Sequence, residues 1–159
     1  MIGIISDTHE NEEAVKKAVA IFKDKNLDFV VHCGDIISPP TLEHYNGLKM
    51  KFVFGNNDGE RKGLNKMAKK LGFGEVTDEK EFEYEGRKFY VYHGTIGKIL
   101  DAAIKSNEYD YVLTGHTHIK RDDKIGSTRV INPGALFRIY PYTIALLDAG
   151  KDKLIFEKI

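Results

Sequence analysis

The sequence predicts an α/β protein built from two mixed β-sheets packed face to face, with helices on the outside. Three observations carry this. Continuous apolar runs bounded by polar turns mark strands covered on both faces, the pattern of parallel pairing. A helical pattern separates the first two such runs, giving a strand–helix–strand crossover whose right-handed sense is nearly obligatory. The second half is mostly strand, and no repeat, low-complexity segment or linker breaks the 159 residues. One domain over 1–159 is therefore expected, long enough to bury a sizeable core.

Ile2 to Ser6 and Phe29 to His32 read as the first two strands. Between them Asn11 caps a helix that carries Glu12 and Glu13 in its first turn and spaces Val15, Ala18, Val19 and Phe22 along one face. Pro39-Pro40 opens a short helix, and Lys51 to Phe54 forms a strand that stops at Gly55. Residues 62–71 return to helical spacing through Leu64, Met67, Ala68 and Leu71, with lysines opposite. Glu81 to Tyr84 and Lys88 to Tyr92 flank a turn at Glu85-Gly86-Arg87. Ile99 to Ile104 is helical and Tyr111 to Thr114 a strand; the tail adds strands near Arg129 to Ile131, Thr143 to Leu147 and Leu154 to Phe156.

Apolar residues make up 42% and charged residues 30%, the balance of a globular protein. With 24 basic against 24 acidic side chains, no global field draws the chain to nucleic acid or an anionic membrane, so a charged substrate needs a local site. The start of the chain lacks the basic and apolar regions of a secretory signal, and no run reaches the ~20 apolar residues of a spanning helix. A single cysteine, Cys33, fits a reducing compartment. A cytoplasmic location follows as the expectation.

Five polar clusters end these apolar runs: Asp7-Thr8-His9, Gly34-Asp35, Gly55-Asn56-Asn57-Asp58, His93-Gly94 and Gly115-His116-Thr117-His118. Functional groups of α/β sheets gather at carboxyl strand ends, so all five share one edge. Burying such groups without partners costs roughly 1–3 kcal/mol each, and a pair of divalent ions would satisfy nearly all of them. Each fragment alone has a plainer reading, as a helix cap, a turn, or a surface or single-metal histidine pair. Their conjunction is what carries weight.

Taken in this order, the clusters resemble the signature of the calcineurin-like metallophosphoesterases. The compact length and Asn132-Pro133-Gly134 make the chain most similar to the small YfcE-type archaeal and bacterial phosphodiesterases. The resemblance covers Ile2 to about Asp148 and implies a four-layer α-β-β-α sandwich, the metallo-dependent phosphatase fold. It further implies one metal held by Asp7, His9, Asp35 and His118, and a second held by Asp35, Asn56, His93 and His116, with Asp35 bridging. Asp35, Asn56 and His93 are the residues the chemistry most depends on. Mixed imidazole and carboxylate donors suit Mn, Fe, Ni or Zn ions, and with this resemblance Mn is the first expectation. Two divalent ions, two carboxylates and a bridging hydroxide sum to about +1, which attracts a phosphate anion. The implied activity is hydrolysis of a small-molecule phosphodiester or activated aryl phosphoester by the metal-bridging hydroxide.

The chain departs from its relatives at Asn57, where many carry histidine. Asparagine donates a hydrogen bond but delivers no proton, so a general-acid contribution of typically 10²–10⁴-fold is missing. Diesters and good leaving groups are the expected substrates. Ala135 replaces a frequent serine, and Arg138 is a candidate phosphate contact. Asp58 is expected to orient the Asn56 loop, Thr95 to line the site, His32 to be a core histidine or a donor to a ligand, His44 a surface residue, and Cys33 a core hydrophobe. Phe137, Tyr140 and Tyr142 form a pocket rim, an oligomer contact or core, which leaves a homo-oligomer open. The competing function is a catalytically weak interaction scaffold like the eukaryotic retromer subunit of the same fold; an intact ligand set argues against it.

Overall fold

The computed structural model describes residues 1–159. In chain order the elements are β1 (Ile2–Ile5), α1 (Glu12–Asp24), β2 (Phe29–His32), a 3-10 helix (Pro39–Tyr45), β3 (Met50–Phe52), α2 (Arg61–Lys70), β4 (Glu79–Tyr84), β5 (Arg87–Tyr92), α3 (Gly97–Lys105), β6 (Tyr111–Leu113), β7 (Arg121–Ile125), β8 (Thr128–Asn132), β9 (Thr143–Asp148) and β10 (Lys153–Lys158). They form two five-stranded sheets, ordered β10-β9-β1-β2-β3 and β4-β5-β6-β8-β7. Both are mixed: β1, β2 and β3 run parallel while β9 and β10 are antiparallel, and β5, β6 and β8 run parallel between antiparallel β4 and β7.

The alternation of side chains along each strand creates the four layers. In β1, Ile2 and Ile4 join Val31, Phe89, Val91, Leu113, Ile131, Ala145 and Leu147 in an apolar layer between the sheets. Ile5, Val30, Ile144 and Leu146 face the other way and pack on Val15, Ala18, Val19 and Phe22 of α1. On the far side, Tyr90, Tyr92, Val112 and Val130 meet Ile104, Leu100 and Ala103 of α3. Helix, sheet, sheet, helix is thus a consequence of strands apolar on both faces.

Asn11 caps α1 through its side-chain oxygen, which accepts from Ala14 N–H at 3.3 Å. Glu85 and Gly86, at φ of 50° and 70°, make a two-residue turn suited to the twist of a hairpin. Arg87 belongs to β5 rather than to the turn. The third strand ends at Phe52, with Val53 making only an isolated parallel bridge to Thr77. One strand escapes the apolar criterion altogether. β7 reads Arg-Asp-Asp-Lys-Ile, sits at a sheet edge and is largely exposed, so its charges guard unpaired backbone instead of filling a core. No helix is long and apolar enough to cross a membrane.

Candidate functional site

Parallel pairing sets the site. Ile5 lies opposite His32, His32 opposite Phe52, and Val91 opposite Leu113, so the segments following β1, β2, β3, β5 and β6 leave the sandwich side by side. Backbone bonds then lace them together: Asp7 N–H donates to Gly34 C=O at 3.0 Å, Thr8 and His9 N–H to Asp35 C=O, and Gly115 N–H to His93 C=O. Asp7, His9, Asp35, His116 and His118 all adopt left-handed φ, between 42° and 67°. Such conformations cost non-glycine residues about 1–3 kcal/mol each and gather where function demands a direction of approach. The glycines make room: a Cβ on Gly55 would strike the Asp35 carboxylate, and one on Gly115 would strike Ser6 and Asp7.

Seven side chains converge here. His9 Nε2 stands 3.2 Å from Asp35 Oδ2, and His118 Nε2 stands 3.2 Å from Asp7 Oδ1. His93 Nε2 lies 3.5 Å from Asp35 Oδ2 and 3.1 Å from Asn56 Oδ1, and His116 Nδ1 is 2.9 Å from the same amide oxygen. The His93 ring is fixed from behind, because its Nδ1–H donates to Cys33 C=O at 2.7 Å and leaves Nε2 as the free nitrogen.

Burial pushes the Asp7 carboxyl above the usual carboxylate range, although His93, Ser6 and His118 oppose it. Burial acts the same way on Asp35, but the His9 and His93 imidazoles and the Asn57 amide outweigh it and hold Asp35 well below that range. For His93 desolvation lowers the pKa, while Asp35 and Asp7 raise it by more.

Whether a cation fits can be judged from atoms left over. Asp7 Oδ1 and His9 Nε2 are buried without a hydrogen-bond partner, an expensive state for polar atoms facing a common space. Asp7 with His9 and His118, and Asp7 with Asp35 and His93, each bring one ligand atom per residue within 4.8 Å of one another. Carboxylate oxygens, imidazole nitrogens and an amide oxygen form a donor set that divalent transition metals accept.

Supporting residues complete the edge. Asp58 accepts four backbone N–H bonds, from Asp35 (3.1 Å), Ile36 (2.7 Å), Ile37 (2.7 Å) and Gly55 (2.7 Å), tying the β2 loop to the Asn56 loop. Asn57 donates to Asp35 twice, through its backbone N–H at 2.9 Å and its side-chain amide at 2.8 Å. His32 accepts Gly34 N–H on Nδ1 and therefore donates from Nε2 to Thr8 Oγ1, both at 3.2 Å. It packs 5.7 Å from the Phe52 ring, a core histidine that also steadies the Asp7 and Asp35 loops. Cys33 is a fully buried free thiol whose pKa is raised by that burial, as a core hydrophobe requires.

Other residues lie further out. The Arg138 guanidinium rests over Phe137 at 5.0 Å, while Phe137 stacks on His9 at 4.3 Å, so Arg138 stands at the rim. Tyr140 is exposed, Tyr142 borders the helical core, Thr95 Oγ1 is 3.5 Å from Asn56 Oδ1, and His44 of the 3-10 helix is half-buried, 3.7 Å from Glu12 of α1. Sequence reasoning missed two residues, Ser6 and Asn132, and the backbone role of His116. Ser6 Oγ and His116 N–H both donate to Asp7 Oδ2, and Asn132 Nδ2 donates to Gly115 C=O at 2.7 Å, fixing the histidine loop. The Asn-Pro-Gly run was the available signal for Asn132, but its partner is remote in sequence.

Residues 1–152 match the calcineurin-like phosphoesterase superfamily domain. The chain belongs to that family. A phosphodiesterase of Methanocaldococcus jannaschii is 38% identical over 155 residues, covering 94% of this chain and 93% of the relative. The solved structure of a novel archaeal phosphodiesterase superposes with a TM-score of 0.94 at 34% identity, over 99% of both chains. Escherichia coli YfcE, a phosphoesterase, shares the fold at a TM-score of 0.72 and 18% identity, over 99% of this chain and 98% of its own. Chaetomium thermophilum Vps29 shares it at 0.72 and 14%, over 99% and 96%. Membership of this family makes the chain a metal-dependent hydrolase of phosphoesters, and the four-layer sandwich is its fold.

Two outcomes follow. Asp58→Ala leaves four N–H groups, three of them buried, without their acceptor, so denaturant titration should show a loss of at least ~3 kcal/mol, and calorimetric metal affinity should fall about 10–100-fold. The second concerns acid. Burial holds the folded His32 pKa down to about 3, against an ordinary 6.5. The unfolded chain therefore binds the extra proton, and the stability contributed by neutral His32 is complete above pH 6.5 and lost as pH falls toward 3. Between pH 6.5 and 4.5, chelator-treated protein should lose up to about 1.4 kcal/mol per pH unit more than His32→Gln. Parallel curves would contradict this.

Proposed function

We propose that residues 1–159 act as one phosphodiesterase domain that works with two divalent metals. The observation carrying this reading is the convergence of seven N- and O-donor side chains, among which two buried atoms, Asp7 Oδ1 and His9 Nε2, have an imidazole and a carboxylate neighbour at 3.2 Å but no hydrogen bond. Asp7, His9, Asp35 and His118 would hold one ion and Asp35, Asn56, His93 and His116 the other. Support for this division comes from His9 lying against Asp35, His118 against Asp7, and His93 and His116 sharing Asn56 Oδ1, while His93 also reaches Asp7 Oδ1 at 3.9 Å, so the two ions would sit close together. Mn is the ion expected, and Ni, Fe or Zn suit the same donor mixture. Bound there, the metals would supply activation of water near neutral pH and neutralisation of phosphate charge.

The chain's own residues define what that chemistry can reach. Asp35 stays anionic at the centre because His9, His93 and Asn57 all favour its charge. Asn56, His93 and His116 present a fixed edge to one side of the phosphate. Asn57 turns its amide onto Asp35 rather than outward, and an amide has no proton to give, so this position offers a departing alkoxide no acid. Leaving groups that are stable as anions are therefore favoured. A scaffold role has less support, since every donor is present and poised. Cys33 as a free buried thiol agrees with a cytoplasmic setting.

Elemental analysis of purified protein should find about two metal equivalents per chain, with activity lost to chelator and restored by Mn. His93→Ala and Asn56→Ala should abolish turnover while circular dichroism stays unchanged; full activity in either overturns the ligand assignment. Under Mn, bis(p-nitrophenyl) phosphate should be hydrolysed at least about tenfold faster than an alkyl monoester, as the missing general acid requires. Comparable alkyl monoester turnover would contradict the role given to Asn57.

A further inference from the structure

Beside the ligand cluster lies a second hollow, of about 290 Å³, that shares Asn56 with it. Its remaining walls include Phe54, Arg61, Asp78, Tyr92, Thr95 and Ile96, none of which belongs to the donor set. At just under the 300–1,000 Å³ usual for ligand pockets, it has room for one ring system and little more.

The chemistry of its walls is specific. The Arg61 guanidinium lies over the Phe54 ring, 4.6 Å from the centroid, and a 2.6 Å ion pair with Asp78 pins it there. About half of the Arg61 side chain remains open, so a planar cation backed by an aromatic ring is offered as a stacking surface. Because Asp78 already neutralises Arg61, a second phosphate gains little here, whereas a neutral planar ring does. Ile96 is 52% exposed and supplies an apolar edge. The Tyr92 hydroxyl accepts Ile96 N–H at 3.0 Å and donates to no protein acceptor, which leaves an uncommitted proton on a nearly buried ring. A stacking face with a free donor beside it matches a heteroaromatic base better than a plain aryl ring.

We propose that this hollow is the subsite for one arm of the phosphodiester and that this arm is a nucleoside. Its base stacks on Arg61, flanked by Ile96 and within reach of Tyr92, while the phosphate sits beyond Asn56. The assignment rests on the phosphodiesterase reading above and names its substrate class.

Product-type inhibitors separate the arms. Uridine or adenosine 5′-monophosphate, phenyl phosphate and methyl phosphate compete with bis(p-nitrophenyl) phosphate on the Mn-loaded protein, so the phosphate contact is common and only the arm differs. The nucleotides should inhibit at least about tenfold more tightly than methyl phosphate, and more tightly than phenyl phosphate. Arg61→Ala and Ile96→Asp should shrink that advantage to within about threefold, the loss expected when a stacking surface is removed. Lys66→Ala, which removes a charge from the same helix outside the hollow, should leave the ratio in place. Equal inhibition by nucleotide and methyl phosphate, or an advantage that survives Arg61→Ala, overturns the subsite. Phenyl phosphate matching the nucleotides overturns the nucleoside. Saturation-transfer NMR of the nucleotide on chelated protein reads the hollow without catalysis: base protons should report contact in the native chain and lose it in Arg61→Ala. Should the phosphodiesterase reading itself fail, the sign is different, namely no hydrolysis of bis(p-nitrophenyl) phosphate with any metal while the NMR result stands.

Discussion

Two carboxylates buried at the edge of a β-sandwich set the terms for everything around them. Asp7 and Asp35 are almost wholly removed from water, a position in which an anion survives only with charge or hydrogen bonds close by. The fold brings those partners in from every neighbouring segment. Ser6 and the His116 N–H hold one oxygen of Asp7, and Asn57 with two imidazoles holds Asp35. The parallel register of β1 with β2 makes this feasible, since Ile5 and His32 pair and both acids follow within three residues. A slip of one residue would turn the acids into opposite layers.

Holding the acids also distorts the backbone. Asp7, His9, Asp35, His116 and His118 occupy left-handed conformations, and at about 1–3 kcal/mol each the sum rivals the ~5–15 kcal/mol net stability of an ordinary domain. The strain is therefore concentrated where the apolar layers on both faces of each sheet can offset it. Asp58 shows how it is contained: one carboxylate collects four N–H groups from two loops, so neither loop relaxes alone. Cations bound to the free atoms of Asp7 and His9 would relieve charge and orphaned polarity together, so binding and folding are coupled.

What the sequence makes legible follows the same physics. β1, β2, β5, β6, β8 and β9 are readable because they are covered on both faces, and the polar ends of β1, β2, β5 and β6 lead to six of the seven donors. β7 is not, since an exposed edge strand selects charge and resembles a loop. Asn132 and Ser6 are equally hidden, because their partners are chosen by tertiary approach and not by spacing. Phe137 against His9 belongs with them: an aromatic cluster after Asn-Pro-Gly is visible in the sequence, but which of its rings turns inward, beside a left-handed Arg138 at φ 61°, is a matter of tertiary approach.

Asn57 shows how a single position divides labour in such a site. On the proposed reading, a side chain at this point of the loop would stand between Asp35 and the departing group, and it could not serve both in one rotamer. Here the amide is committed to Asp35 by a 2.8 Å hydrogen bond, reinforced by its own backbone N–H at 2.9 Å. That choice steadies the central carboxylate and leaves nothing at this position to protonate an alkoxide. Discrimination among substrates would then pass to residues that never touch the reacting atoms, because without a local acid the leaving group's own stability and the grip on its arms decide which esters react. The Asn56 loop would be the junction of those two tasks: one face contacts His93 and His116, and the other forms a wall of the hollow that holds Arg61.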